Sequence, residues 1–370
     1  MRKANTLSII LLLILIVGFV VGCGGSKNPS PSPPSTNDPT KSPPKDNPIS
    51  PVAIYTGGEY TAPGTAWIPC YWDNYGVKHD LRVTTNFSYQ ITSVFVSNNI
   101  VYAGGYCYNG TTSAVACYWD NSGEHILSVP EGAYHAYVNS IFVKDNIVYT
   151  CGYYYTDSAY VACYWTNTDP PHILSSGSYP YARANCIFVD NTGIYVGGDV
   201  DNSLSSPNPC YWANSTTPSI LSLSNAMVMS ILANNNKVYS CCQNHSTNLY
   251  FSSYWIDKTE QPLAVPTGNV GHVTSIFVDN NSIYAGGYYS NGSNNAICYW
   301  DNIGQHHDFE NTTASVNYFS IIVKNNLIYV GGIKRDSSGD NAYYWDSTGG
   351  HSVYHFPQYT GWGFCPVFMQ

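Results

Sequence analysis

A Tyr-Trp pair recurs seven times along this 370-residue chain, ending at Trp72, Trp119, Trp165, Trp212, Trp255, Trp300 and Trp345. The intervals are 47, 46, 47, 43, 45 and 45 residues. A second marker, the Tyr-x-Gly-Gly run and its variants, keeps step with it, starting at Tyr55, Tyr102, Tyr149, Tyr195, Tyr239, Tyr284 and Tyr329. Two unrelated markers in phase mean that one structural unit is repeated. A unit of this length cannot cover its own apolar faces, so the copies must stack on one another.

The content of each copy is that of strands. The first strand is a Ser-Ile-Phe-Val type run, apolar on both faces, as in Ser140 to Val143. An Asn-rich pair such as Asn98-Asn99 follows, suited to the positive φ of a tight hairpin. The second strand carries the double glycine, which marks a bulge or a close approach. The expectation is that the Tyr-Trp pair of the third strand fills the space those glycines leave. A short fourth strand of the His-Ile-Leu kind is introduced by Asp-Asn-x-Gly turns. No amphipathic helix period occurs after residue 23. Four strands per period of 43 to 47 residues predict an all-β, seven-bladed β-propeller over residues 52–370. The first copy lacks its first strand and the chain ends in an isolated one near Val367, so N- and C-terminal strands are expected to share a blade and close the ring.

With 15% aromatic and 10% charged residues, the chain offers a large core beneath a Tyr, Asn, Ser and Thr surface. Residues 1–23 read as an export signal: Arg2 and Lys3, an apolar run from Leu7 to Val21, then Gly22-Cys23. The run is short for a membrane span. Beyond it stand 12 basic against 23 acidic residues, a net of −11, which leaves no basic stripe for nucleic acid. Residues 24–51 are Pro, Ser, Asn, Lys and Thr, a disordered tether reaching roughly 30 Å as a coil and about 85 Å if extended.

The Val20-Val21-Gly22-Cys23 segment resembles the signal of bacterial lipoproteins. That resemblance implies a diacylglycerol thioether on Cys23, an acylated (palmitate-type) amine, anchoring in a membrane outside the cytoplasm, and the outer membrane in a Gram-negative cell. The double glycine followed by Tyr and Trp resembles the kelch repeat, but there Tyr and Trp are separated. The Trp-Asp pairs at Trp72, Trp119, Trp300 and Trp345 resemble WD40 repeats, whose upstream Gly-His is absent here. From about residue 52 onward the chain is most similar to uncharacterised bacterial surface lipoproteins with Tyr-x-Gly-Gly and Tyr-Trp repeats, a family that implies a propeller and no agreed activity.

Twelve cysteines invite disulfides, yet Cys70, Cys117, Cys163, Cys210 and Cys298 occupy the same position in five copies, and equivalent positions on stacked sheets lie about 10 Å apart. They read as buried thiols. A Cys151–Cys163 bridge across one hairpin is the local alternative. Histidines at 79, 125, 172, 307 and 351 fall one per copy, which suits structure better than a metal centre; His306-His307-Asp308 is a weak adventitious cluster. Asp199-Val-Asp201 reads as part of an exposed hairpin loop. The remaining acids are scattered, with no carboxylate pair for glycoside chemistry and no Gly-x-Ser-x-Gly elbow. No metal or cofactor is expected.

One position varies where its neighbours repeat. Three residues before the Ser of each first strand stand Gln90, Tyr137, Arg183, Met227, His272, Asn317 and Gly363, with Trp362 beside the last. Repeated packing problems favour repeated residues, whereas a site around one asymmetric ligand must differ copy by copy. These residues are the candidate ligand site, where crossing loops would enter the channel mouth. The reading is a binding or scaffolding module for a protein or glycan; its alternative is a carbohydrate-active hydrolase or lyase with acids gathered from several blades.

Overall fold

The computed structural model describes residues 53–60, 66–73, 75–84, 87–108, 113–174, 179–222, 225–244, 252–336, 339–355 and 368–369. The signal, Cys23, the tether and Trp362 lie outside them. The described residues form strands and turns with no helix, so none is long and apolar enough to cross a membrane.

Each period contributes four antiparallel strands in sequence order, as in Ser88–Ser97, Ile100–Tyr108, Ala114–Asp120 and Gly123–Ile126. The hairpins between first and second strands turn on residue pairs with both φ positive: Asn98-Asn99, Asp145-Asn146, Asn235-Asn236, Asn280-Asn281 and Asn325-Asn326. Short polar side chains tolerate that region and its twist matches the flanking strands. Each first strand packs against the first strand of the next period. The series closes where Phe368–Met369 meets both Ser315–Lys324 and Ser88–Ser97. Phe368 and Met369 pair with Tyr55 and Ile54, so one sheet is built from both chain ends. The fold is a propeller-like ring of β-sheets.

Among the described residues the sheets number five of four strands and one of eight, not seven separate ones. In the larger sheet a single parallel bridge, Tyr160 to Tyr181, joins the strand Tyr160–Thr166 to the first strand of the following period, Tyr181–Val189. A backbone hydrogen bond from Tyr160 N to Pro180 O reinforces it at 3.0 Å.

All seven Trp side chains of the Tyr-Trp pairs are at most 1% exposed. Three indoles reach back to the segment that follows the fourth strand of the preceding period, or to that strand itself: Trp165 Nε1 donates to Ser128 O (2.8 Å), Trp300 to Ala264 O (2.7 Å) and Trp345 to Glu310 Oε2 (2.7 Å). The Tyr of the pair instead stacks on the histidine of the fourth strand. Ring centroids are 4.5 to 4.7 Å apart in Tyr71–His79, Tyr118–His125, Tyr164–His172, Tyr299–His307 and Tyr344–His351. In four periods the Asp after Trp completes the unit, meeting His Nε2 at 2.8 to 3.1 Å from Asp73, Asp120, Asp301 and Asp346. The histidines are therefore structural. His306 turns instead to Asp308 (2.9 Å), so the His306–His307 pair divides between two acids rather than converging on an ion.

The glycines are explained differently from the sequence expectation. A Cβ at the first glycine would strike the next period's first strand: Gly104 meets Val138 at 2.9 Å and Gly286 meets Ile321 at 2.9 Å. A Cβ at the second would strike a carbonyl of its own first strand, Gly105 meeting Gln90 O at 2.0 Å and Gly287 meeting His272 O at 1.9 Å. The Tyr-Trp pair is not what mainly fills that space; only around Gly198 and Gly332 does a Trp ring also crowd in.

That carbonyl is brought close by a bulge in each of the six long first strands described, as between Ile91 and Ser93 or Val273 and Ser275. The extra residue is turned toward the next period. Thr92 Oγ1 donates to Val138 O (2.7 Å), Asn139 Nδ2 to Ala184 O (2.8 Å) and Thr274 Oγ1 to Phe319 O (3.4 Å). The serine that follows accepts from the next period's main chain: Ile141 N to Ser93 Oγ, Ile276 N to Ser230 Oγ and Ile321 N to Ser275 Oγ, at 3.2 to 3.4 Å.

The ten cysteines among the described residues are buried thiols, none of them in a disulfide. Cys151 pairs with Tyr164 and Cys163 with Gly152, so alternation puts the two thiols on opposite faces and a bridge between them is not formed.

Candidate functional site

The variable positions lie inside the first strands, just before the bulge, and not on crossing loops. Each faces the second-strand residue four places after the Tyr of Tyr-x-Gly-Gly. The pairs are Gln90–Tyr106, Tyr137–Tyr153, Arg183–Asp199, Met227–Gln243, His272–Tyr288 and Asn317–Ile333. Glu59 holds the second-strand position in the first period.

Three of these pairs form one continuous group. Tyr106 donates to Gln90 Oε1. Its ring packs edge-on against Tyr137 of the next period, centroids 4.8 Å apart, and Tyr137 lies over Tyr153 at 5.2 Å. Tyr155 and Tyr160 stack at 4.1 Å with planes 5° apart, and Tyr160 meets Tyr181 edge-on at 5.2 Å. Tyr108 and Tyr134 extend the patch to solvent, 39% and 43% exposed. Burial raises the hydroxyls of Tyr106 and Tyr137 far above the ordinary tyrosine value, and takes Tyr155 up to about 12. All three are neutral hydrogen-bonding groups at physiological pH.

Two acids border the tyrosines. Arg183 grips Asp199 Oδ2 through Nε (3.0 Å) and Nη2 (2.8 Å), while Asn185 Nδ2 donates to Oδ1 (3.1 Å). Burial works against the Arg183 charge and Asp199 restores it; burial likewise pushes the Asp199 carboxyl up, with Arg183 and Asn185 pulling it back. The pair is thus a neutralised unit. Asp199 and Asp201 are 1% and 3% exposed on the strand Ile194–Asp201, which corrects the hairpin-loop reading. Glu59, 4% exposed, receives one long hydrogen bond from Ile91 N (3.4 Å). Burial lifts its carboxyl well above the usual range, which favours the uncharged form, and it lies near Tyr106.

The other predicted residues are placed differently. Met227 is buried at 5% exposure, Asn317 is exposed, and His272 stacks on Tyr288 at 4.3 Å with planes 4° apart. Burial lowers His272 to about 4, so its ring is uncharged at neutral pH. Gly363 and Trp362 lie outside the described residues. The sequence reading missed Glu59, Tyr106 and Tyr153 as site members. Their position also changes between copies, though Tyr recurs there three times, so the same criterion applied to the second strand points to them more weakly. A groove of about 480 Å³ lined by Tyr164, His172, Ile194, Trp212 and Asn214 opens beside the two-residue fourth strand His172–Ile173, and it holds none of these groups.

No family model matches the sequence, and no curated protein matches it. Among solved structures, a 6-phosphogluconolactonase candidate from Bacteroides fragilis is 11% identical, covering 88% of this chain and 100% of its own, with a TM-score of 0.43. A similar candidate from Bacteroides uniformis is 12% identical over 86% and 99%, TM-score 0.44. A puromycin-hydrolyzing peptidase from Mycobacterium tuberculosis is 9% identical over 83% of this chain and 54% of that one, TM-score 0.52. At such identities the likeness concerns fold alone.

Proposed function

We propose that this chain is a lipid-anchored, extracytoplasmic seven-bladed propeller that binds a glycan on the tyrosine patch around Tyr137. The blade count is supported by the eight-stranded sheet, which divides at the single Tyr160–Tyr181 bridge into two runs of four strands. The anchor rests on the Cys23 signal. Replacing Cys23 with Ser is expected to free the folded protein from membranes; retention in the membrane fraction would mean an uncleaved anchor segment instead.

The observation that carries the ligand class is the joining of flat aromatic faces to neutral hydrogen-bonding groups. Tyr137, Tyr155 and Tyr160 offer platforms of the kind a sugar ring covers, with phenol hydroxyls at their edges. Among the described residues the one cation at the site, Arg183, is already held by a buried carboxylate, so selection for an acidic ligand is weak. Tyr137→Ala and Tyr155→Ala should each lower affinity for a glycan found on an array by at least about 30-fold, the loss of a buried aromatic anchor. Unchanged affinity in both would overturn the site. Arg183→Ala is a poor probe: it leaves Asp199 buried without its partner, at a cost of about 3–5 kcal/mol to folding.

Glu59 favours a second reading, a hydrolase. A carboxyl whose proton burial holds more tightly, beside a sugar site, is suited to protonating a leaving group. Glu59→Gln should abolish turnover of a bound glycan if this reading holds, and should leave binding and substrate intact if the protein only binds.

A further inference from the structure

On the strand face opposite Tyr106 and Tyr108, the second period brings three ligand-type side chains together, one of them shared with four other periods. Cys117 is the usual third-strand thiol, equivalent to Cys70, Cys163, Cys210 and Cys298. The second-strand residue five places after the Tyr is Cys107 here, but Tyr60, Tyr154, Val200 or Tyr289 in those periods. Opposite the Trp, the fourth strand has Glu124; the paired equivalents are Lys78, His306, Gly350 and one other acid, Glu260, which accepts from Ser253 Oγ in a period that lacks the third-strand thiol. Pairing explains their meeting. Cys117 faces Gly105 and Cys107 faces Val115, so the thiols share one face a diagonal step apart, with no side chain at Gly105 between them. Glu124 pairs with Trp119, which lies on the same face as Cys117. The Cys107 and Cys117 sulfurs and a Glu124 carboxylate oxygen all lie within 4.8 Å of one another.

We propose that Cys107, Cys117 and Glu124 bind a thiophilic divalent cation of the zinc class. Two thiolates and a carboxylate are a donor set that such an ion accepts in tetrahedral geometry, with the fourth position left to water or an added ligand. Glu124 is already held in orientation, since Thr84 donates to its Oε2 from both N (3.0 Å) and Oγ1 (2.5 Å), which leaves Oε1 for the ion. Cys107 is one residue from the exposed end of its strand at Tyr108, which gives the ion a route in. Binding one M²⁺ forms two metal–sulfur bonds and releases both thiol protons to solvent, while Glu124 coordinates as the carboxylate. Affinity therefore rises with pH.

The test uses the full chain, reduced and stripped with a chelator, then titrated with Zn²⁺ against a chromophoric competitor and separately with Cd²⁺. One ion per chain, a sulfur-to-cadmium absorption band of two-thiolate intensity and release of two protons are expected. Cys107→Ser should weaken binding by at least about 100-fold and Glu124→Gln by at least about 10-fold, since loss of even an outer-shell partner costs about 10- to 100-fold. Cys210→Ser, a core thiol without these neighbours, should leave it unchanged. The cadmium spectrum of the unaltered chain keeps the proposal testable even where a variant fails to fold. Absence of the thiolate band, full affinity in Cys107→Ser, or a native mass lower by two hydrogens from a Cys107–Cys117 disulfide would each overturn it.

Discussion

His272 is an aromatic slab that happens to carry a titratable nitrogen. Burial holds it at about 4, against 6.5 for a free imidazole, while its ring lies parallel on Tyr288. Across that window the folded protein binds fewer protons than the unfolded chain. Its contribution is therefore complete above pH 6.5 and drains as pH falls toward 4. At about 1.4 kcal/mol per unit, the full loss is on the order of 3 kcal/mol. Chemical denaturation at pH 7 and pH 4.5 should show the difference, and His272→Phe should flatten it. A second acid-sensitive set lies lower. Burial alone would raise Asp120, Asp301 and Asp346, but hydrogen bonds from Ser122 and His125, from His307 and Gln305, and from Thr348 and His351 hold all three below the usual carboxylate value. Their stabilisation is present above the unfolded value and is lost as pH falls through the folded one, so it cannot be confused with the His272 window.

At the level of strands, the bulge governs what the double glycine must be. Gly105→Ala would place a Cβ 2.0 Å from a main-chain oxygen that a bulge has fixed in place, and it should cost at least about 2–3 kcal/mol as strain in a packed core. Gly132→Ala meets nothing within 4 Å and should cost only about 1 kcal/mol, from its φ of +85°. Melting curves of the two variants compare these directly. The strands, their Asn turns and the buried Trp were legible in the sequence because each follows from local chemistry: apolar runs, left-handed tolerance, the largest side chain at a fixed phase. The bulge was not, because it is a property of two paired strands. With it went the register that sets Tyr106 against Gln90 and Asp199 against Arg183, and a variable residue was assigned to a loop when it stands inside a strand. Cys107 and Glu124 escaped notice for the same reason, being 17 residues apart in a chain whose pairing brings them together.

For the molecule as a whole, stability depends on a two-residue strand. Phe368–Met369 supplies the inner position of a sheet whose other strands begin at Ile54. Removing residues 364–370 should leave the inner edge of Ile54–Tyr60 unpaired and lower the melting temperature by well over 5 °C, as a loss of several kcal/mol does in a domain of this size. A shift of only a degree or two in calorimetry would show that the ring does not need its clasp. The contacts between successive sheets carry a different implication. Thr92, Asn139 and Thr274 each send a hydrogen bond forward, and what receives it is a peptide oxygen, a group that every residue type possesses. The join between neighbours is written in a vocabulary that does not specify who the neighbour is. Copies of such a unit can be duplicated, exchanged or allowed to drift in sequence without renegotiating their junctions, and a gene built this way can vary the residues before each bulge while inheriting the frame intact.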